Sequence, residues 1–568
     1  MELYSYHVFL FPFQWHFVGK EMKDKTLEER TCLKEFSALF ENTLWKQKPY
    51  STDNILNYNE YNYFYSMVRD VLFDNGEPIS EKSIISNLFY DIPSDTQTYN
   101  FKVCTDGFKK TFKSYSLHID SIILHLYSTG VGVLSFHLNN RLESQRTPDD
   151  ILNINQAGRR LYPPFFGMDP NLVGTQAQFE FKDFSYGLDI LQQKELAVEF
   201  SINSDLQFDD FRKYHNPENF KSNPFQLPGH IRFLFNGIPL TVDKADYKSA
   251  DKKIFINPLL DDRMFVICWY GNDELIKELK ANDEDHCKDE NGNLLYLESD
   301  WWYKYMFNDQ KNATCQNPEM KKNLIKKHTY NRWSDYGTFY GINRYSFVCL
   351  TGSLEHLKKP LVNAAFLVNH IQTMYYKLCE LCLVQRACII RFSEEVSGIS
   401  AMKNDKKLSL TDRIGNLYQQ YMRFVNRIYF REVTAQEQGI ELYNMLQKHM
   451  QIERNVKDLD NDIKELHSYI SLVQDQKQSR NIELLTIIGA LFIMPTFLIS
   501  FIGMIVLPRF QSTLKDYWEA LFLLPLLVGP IFYFLIDPKR AKRWMGWLIF
   551  FTMIAILLSV GFMHLYKS

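Results

Sequence analysis

The sequence predicts an α+β fold, with a mixed α/β domain followed by a long stalk helix and a helical transmembrane domain. Three observations predict it. β-type runs near 4 to 13, 116 to 138, 195 to 203, 230 to 236, 264 to 270 and 338 to 350 alternate with loops rich in Asn, Pro and Asp, such as 203 to 229. Apolar residues from Leu442 to Val473 recur at helical spacing. After Arg480 the chain consists mostly of uncharged apolar runs of spanning length. The expected division is therefore 1–400, a mixed α/β domain; 401–480, a helical stalk; and 481–568, a membrane domain of two or three helices.

Composition narrows the class. The chain has 568 residues, 46% of them hydrophobic and 15% aromatic, with a net charge of −3. That excludes a disordered chain and gives no electrostatic reason to expect direct nucleic-acid binding. The mean hydropathy of −0.28 averages a polar region with an apolar one. Nine scattered cysteines fit a reducing compartment. Cys379 and Cys382 form a C-x-x-C inside a helical pattern from Leu361 to Phe392; lacking a second pair, they read as buried thiols. The N-terminal MELYSYHVFLFPFQW has neither a basic leader nor a small-residue cleavage site, so no signal peptide is expected.

Within the first domain, Ser116 to Tyr127 and Val131 to Asn139 read as a hairpin joined by STGVG, with Gly130 and Gly132 supplying positive φ. Thr129, Gly130 and Asn139 are candidate ligand contacts there; an ordinary central hairpin is the competing reading. Thr147 as N-cap and Pro148 as first helical residue start a helix that ends near Gly158. Arg159 and Arg160 follow it, able either to satisfy the helix C-terminus or to fork onto a phosphate. Arg332, Trp333, Tyr336, Tyr340 and Arg344 interleave aromatic and guanidinium groups, suited to stacking a base beside a phosphate or to a core-edge cluster.

No phosphate-binding loop, dinucleotide fingerprint, zinc-protease motif or nucleophile elbow occurs, so no enzyme and no catalytic residues are expected. DEDHCKDENGN, 283 to 293, reads as a solvated acidic loop rather than a metal site. His118 and His125, seven apart on one strand, are expected on opposite faces, and with His137 they offer no metal site.

The linker GISAMKNDKKLSLTD precedes a helical region beginning near Arg413. Leu442, Met445, His449, Ile452, Val456, Leu459, Ile463, Leu466, Ile470 and Val473 form a 3,4 seam broken in character only by His449. With no Pro or Gly between Ile440 and Ile488, one uninterrupted helix is expected to run toward the membrane. Its partner is either its own domain or other copies of the chain, and the second is preferred because the seam runs straight into a span.

Leu484 to Leu507 is an uncharged run of 24 residues, enough to cross a bilayer; Ala520 to Ile536 and Trp544 to Leu565 are the further candidates, the last either spanning or interfacial. Lys539, Arg540, Lys542 and Arg543 make the turn after the second run the most basic, which places it and the N-terminal domain in the cytoplasm. The sequon at Asn312 then has no glycosylation role. Along the first run, Thr486, Gly489, Ile493, Thr496, Ser500 and Gly503 form a mostly small or hydroxylated stripe that either packs helices closely or lines a pore with Met504 at its end. Pro495 is a candidate bending point.

NIELLTIIGALFIMPTFLISFIGMI, with Asn481, Leu485, Thr486 and Gly503-Met504, resembles the membrane segment of the CorA family of divalent-cation channels, and the resemblance extends from Tyr421 to the PKRAKR turn. It implies a homo-oligomer, a pentamer in that family, in the bacterial inner membrane among its lipids. Ile505 stands where the family's Gly-Met-Asn loop has the Asn that holds hydrated Mg²⁺, so magnesium selectivity is not implied, although a divalent cation remains possible. YHVFLFPFQWHF, IDSIILHLYSTGVGVLSFHLNN, DDILNINQAGRRLYPPF, YGTFYGINRYSFVCL and FREVTAQEQGIELY resemble the CorA-type effectors of type III CRISPR systems. That resemblance implies a cytosolic domain sensing SAM-AMP, a nucleotide-type second messenger, and no cofactor.

Overall fold

The computed structural model describes residues 2–505 apart from 23–24, 74–77, 81–82, 93–96, 107–110, 162–198, 202–226, 261–262, 281–293, 310–311, 355–363 and 401–406, with no side chain described beyond Gly489. The expected acidic loop at 283 to 293 and most of the loop 203 to 229 lie outside the described residues, as do the apolar runs 520–536 and 544–565. The chain divides into two units, Met1–Leu466 and His467–Ser568.

The first unit is built on one sheet of thirteen strands among the described residues. In chain order they are β1 Ser5–Val18, β2 Trp45–Gln47, β3 Ile85–Tyr90, β4 Thr98–Asp106, β5 Thr111–Tyr127, β6 Val131–Asn140 and β7 Glu199–Ser201. Then follow β8 Leu240–Thr241, β9 Lys253–Pro258, β10 Phe265–Gly271, β11 Thr329–Tyr330, β12 Phe339–Ile342 and β13 Ser346–Thr351. The main path is β11-β12-β13-β10-β1-β6-β5-β3-β2, antiparallel except where β10 meets β13. The helices that position the site are α1 Leu27–Arg30, α2 Pro148–Gly158, α3 Met374–Ser400, α4 Lys407–Arg427, α5 Glu437–Met450 and α6 Ile452–Ile505.

β1 is central, and all fourteen of its residues are buried. Its odd positions Phe9, Phe11, Phe13, Trp15 and Phe17 enter an aromatic core with Phe36, Trp45 and Phe136. Its even positions face α3, where Gln14 accepts from Arg391 Nη1 at 3.2 Å. Pro12 is tolerated in a central strand because β1 changes neighbour beside it: pairing with β10 ends at Leu10 and pairing with β9 begins at Phe13.

The hairpin β5–β6 forms as expected, and Gly130 has φ 76. Gly132 does not supply positive φ; it lies within β6, where an added Cβ would come 2.4 Å from the Phe13 ring. The strand carries a second surprise. Register slips by one residue between Ile119 and Ser121, so the bulged Asp120 reverses the face of everything beyond it. His118 opposes Asn139 and His125 opposes Val133, which puts both histidines on one face, contrary to the count of seven.

The predicted helix after Thr147 is α2, closed by a Thr147–Asp150 capping box. The predicted strand near 230 to 236 is instead a helix, Gly229–Leu234. His230, Ile231 and Leu234 are buried there at helical spacing, and Pro228-Gly229 starts the turn. The helical pattern 361 to 392 resolves into Ala364–Gln372 and α3. α3 is buried on every side from Met374 to Ile389, which explains why its pattern showed no polar face.

The uninterrupted stalk does not form. α5 ends at Met450, Gln451 takes a left-handed φ of 57, and α6 starts at Ile452. The seam is also covered by its own domain: Leu442, Ile452, Val456, Leu459 and Ile463 are buried within the first unit and Met445 and His449 are half-buried, with α5 packed on α3. Tyr421 Oη on α4 donates to the Val456 carbonyl at 3.4 Å. In the second unit, Tyr469, Leu472, Ile482, Leu485 and Ile488 are exposed. α6 continues as helical backbone to Ile505, but among the described residues no helix is long and apolar enough to cross a membrane.

Candidate functional site

A cavity of the first unit holds about 260 Å³. It forms where the end of β1, α1, the turn carrying Tyr247, the last turns of α3 and the middle of α4 converge. Each contributor has a local cause. α1 is fixed by a Thr26–Glu29 capping box, which aims Arg30 inward from its last turn. Arg391 and Glu395 stand four apart on α3 and therefore share a face. Phe17, Leu27, Ile399 and Leu417 give the cavity apolar walls.

The charged end is organised around Glu395. Arg30 Nη2 donates to both of its oxygens at 3.4 Å, and Arg391 Nη2 lies 3.8 Å from the same Oε1. Arg391 is 1% exposed, and its Nε and Nη2 have no hydrogen-bond partner; Arg30 Nε has none either. Burial lowers the Arg391 pKa, Glu395 opposes that fall, and Arg30 adds to it. His16 Nε2 lies 2.5 Å from Tyr247 Oη, and burial, Arg391 and Arg30 together hold the imidazole neutral, well below its usual range. The chemistry available is anion recognition: donors in excess of acceptors, in a half-closed apolar setting.

A second buried cluster lies deeper under α3. Glu380 accepts from Lys377 Nζ at 3.2 Å and pairs with His125 Nδ1, while Tyr127 Oη lies 3.4 Å away. Burial would raise the Glu380 carboxyl, but His125 and Lys377 hold it well below the usual range. His137, 3.4 Å from Tyr6 Oη, is pushed down to about 3 by burial and Lys377. These groups tie helix to sheet.

The sequence-predicted contacts are dispersed. Gly130 lies against Arg391: an added Cβ would come 2.8 Å from Arg391 Nε. Thr129 Oγ1 is 3.2 Å from Cys388 Sγ. Asn139, at the other end of β6, contacts His118 at 3.3 Å and accepts from Arg141 at 3.2 Å. Arg159 donates to Gln156 at 2.6 Å, and Arg160 bridges to Arg263. Arg332, Trp333 and Tyr336 are neighbours, with Arg332 5.7 Å from the Trp333 ring, but its guanidinium is engaged by Glu441 at 2.7 Å and Glu437 at 2.9 Å on α5. Tyr340 is buried against Tyr375, while Arg344 is an exposed turn residue whose carbonyl accepts from Arg386.

Of the pore candidates, Thr486 donates to the Ile482 carbonyl at 2.7 Å within α6, and nothing lies within 4 Å of a Cβ added at Gly489. The side chains of Thr496, Ser500 and Met504, and residue Gly503, lie on helical backbone beyond the described side chains. Cys379 and Cys382 are fully buried free thiols, their pKa values raised by burial. Among the described residues no group of three or more His, Cys, Asp or Glu is placed to hold a metal.

Arg30, Arg391 and Glu395 were not singled out in the sequence. The RFSEE stretch at 391 to 395 shows an i,i+4 pair, but nothing local marks Arg30, 361 residues away, as its neighbour.

Residues 401–543 match the family described as CorA-like Mg2+ transporter protein. The matched stretch begins beside the last turn of α3 and includes α4, α5 and all of α6. No curated protein and no solved structure matches the chain.

Proposed function

We propose that the protein is a CorA-like membrane protein of the bacterial inner membrane, acting as a homo-oligomer, whose conduction is controlled by its large cytoplasmic domain. The carrying observation is the CorA-like match over 401–543, which includes the uncharged run from Leu484. The controlling ligand in this reading is a nucleotide-type second messenger, with SAM-AMP the specific candidate from the resemblance of the N-terminal segments to CRISPR-associated effectors. The messenger opens a pore along the first span or compromises the bilayer, and no catalysis is involved. A donor-rich cavity beside the start of the matched segment supports control by an anion. Shifting such a gate from 1:99 to 99:1 requires about 5.5 kcal/mol of differential binding.

The second reading is a constitutive divalent-cation channel, favoured by the Mg2+ transporter description of the matched family. Ile505 after Gly503-Met504 weighs against magnesium selectivity. Purified protein in dye-loaded liposomes separates the two. Leakage on adding SAM-AMP, with none in Mg²⁺ alone, supports the gated effector; cation uptake without messenger supports the channel, and inertness under both conditions overturns both.

A further inference from the structure

We propose that the cavity between α1, α3 and α4 binds a phosphate-bearing small molecule, with Glu395 as the built-in anion that the phosphate displaces. The observations are geometric. Two guanidinium groups converge on one carboxylate oxygen, at 3.4 Å from Arg30 and 3.8 Å from Arg391, both longer than a good charge-assisted hydrogen bond. Three of their nitrogens, Arg391 Nε and Nη2 and Arg30 Nε, are buried without a hydrogen-bond partner. Buried donors left unmade are costly, so such a set is expected to find an acceptor.

A carboxylate offers two oxygens, whereas a phosphate monoester offers three and nearly twice the charge. The remaining volume, about 260 Å³, is walled by apolar side chains including Phe17, Leu27 and Leu417, which fits a compact ring or hydrocarbon attached to the phosphate. Glu395 is 23% exposed on its side chain and stands one turn before the end of α3, so it has solvent to swing into. Its departure alters the helix end that immediately precedes the CorA-like segment.

The binding claim stands on the cavity alone; any effect on conduction rests on the function proposed above, so the two are measured separately. The probe is phenyl phosphate, titrated calorimetrically into the full-length protein in detergent, with inorganic phosphate and neutral benzyl alcohol as comparisons. Phenyl phosphate is expected to bind about tenfold or more tightly than inorganic phosphate, and benzyl alcohol to give no comparable binding. Arg30→Gln should weaken phenyl phosphate about tenfold. Glu395→Gln should strengthen it several-fold, because the competing anion is gone. Absence of phenyl phosphate binding, an unchanged affinity in folded Arg30→Gln, or a weaker one in Glu395→Gln overturns the assignment. Should Arg30→Gln not fold, the sign of the Glu395→Gln change decides alone. Binding without any change in liposome leakage keeps the site and removes its gating role.

Discussion

Glu380 accepts from Lys377 Nζ at 3.2 Å, and both side chains are buried between α3 and the central sheet, with His125 on the other side of the carboxylate. Taking one member away leaves the other charge in the core without its paired countercharge. Glu380→Gln or Lys377→Met should each cost about 3–5 kcal/mol, whereas the double variant should cost less than the two singles together. Chemical denaturation of the four proteins in a double-mutant cycle checks this; additive losses would mean that the pair is not coupled.

Acid should destabilise the first unit well above the pH at which most carboxylates protonate. Burial lowers His7 from its ordinary value to about 4 and His137 to about 3, and both are fully buried. A histidine whose folded pKa is depressed binds its proton more readily when unfolded, so stability is lost as pH falls below about 6.5 and goes on falling until the folded pKa is reached. Each contributes on the order of 3 kcal/mol across that window. The held-down Glu380 acts in the same direction at lower pH, its contribution disappearing as pH falls below the unfolded value. Melting temperatures measured from pH 7.5 to 4.5 should fall steadily, and His7→Gln should flatten the slope.

Alanine at two glycines should have opposite signs. At Gly130, with φ 76, a Cβ would come 2.7 Å from Thr31 Cγ2 and 2.8 Å from Arg391 Nε, so Gly130→Ala should cost about 1–3 kcal/mol. At Gly398, inside α3, nothing lies within 4 Å, and Gly398→Ala should stabilise by up to about 1 kcal/mol through helix propensity. Thermal unfolding of both variants reads the difference.

The break at Gln451 predicts that Gln451→Gly is stabilising, by about 1 kcal/mol, since glycine adopts φ 57 without the strain a side chain meets. If a continuous helix formed through this position instead, the same change would destabilise by a similar amount. Denaturation midpoints decide between the two.

Arg332→Ala should change stability by less than about 1 kcal/mol, because its pairs with Glu437 and Glu441 are solvent-exposed. A larger loss, or an altered messenger response without a stability change, would assign Arg332 a role beyond tethering the β11–β12 turn to α5.

Much of the local structure was legible in the residues themselves. Thr147-Pro148 with Asp150 specified α2 because a cap, a fixed φ and a reciprocal carboxylate all act within four residues. Gly130 marked the hairpin for a similarly local reason. The Gly229–Leu234 segment was misread because a short apolar run looks alike as a strand or as a buried helix. The Arg30–Glu395 site left no local trace, since its charges come from segments hundreds of residues apart.

By itself, then, the sequence determined the mixed α/β character of the large domain, the apolar stripe of the stalk and the uncharged run that follows it. Tertiary structure decided what covers that stripe as far as Ile463: the chain's own domain, with α3 packed on α5 and Tyr421 of α4 beside Val456. It also decided that Asp120 bulges, bringing His118 and His125 to one face, and that Gln451 interrupts the helix. Periodicity records which side of an element avoids water, and the neighbour supplying the cover, or absorbing an extra residue, is fixed only when distant segments pack together.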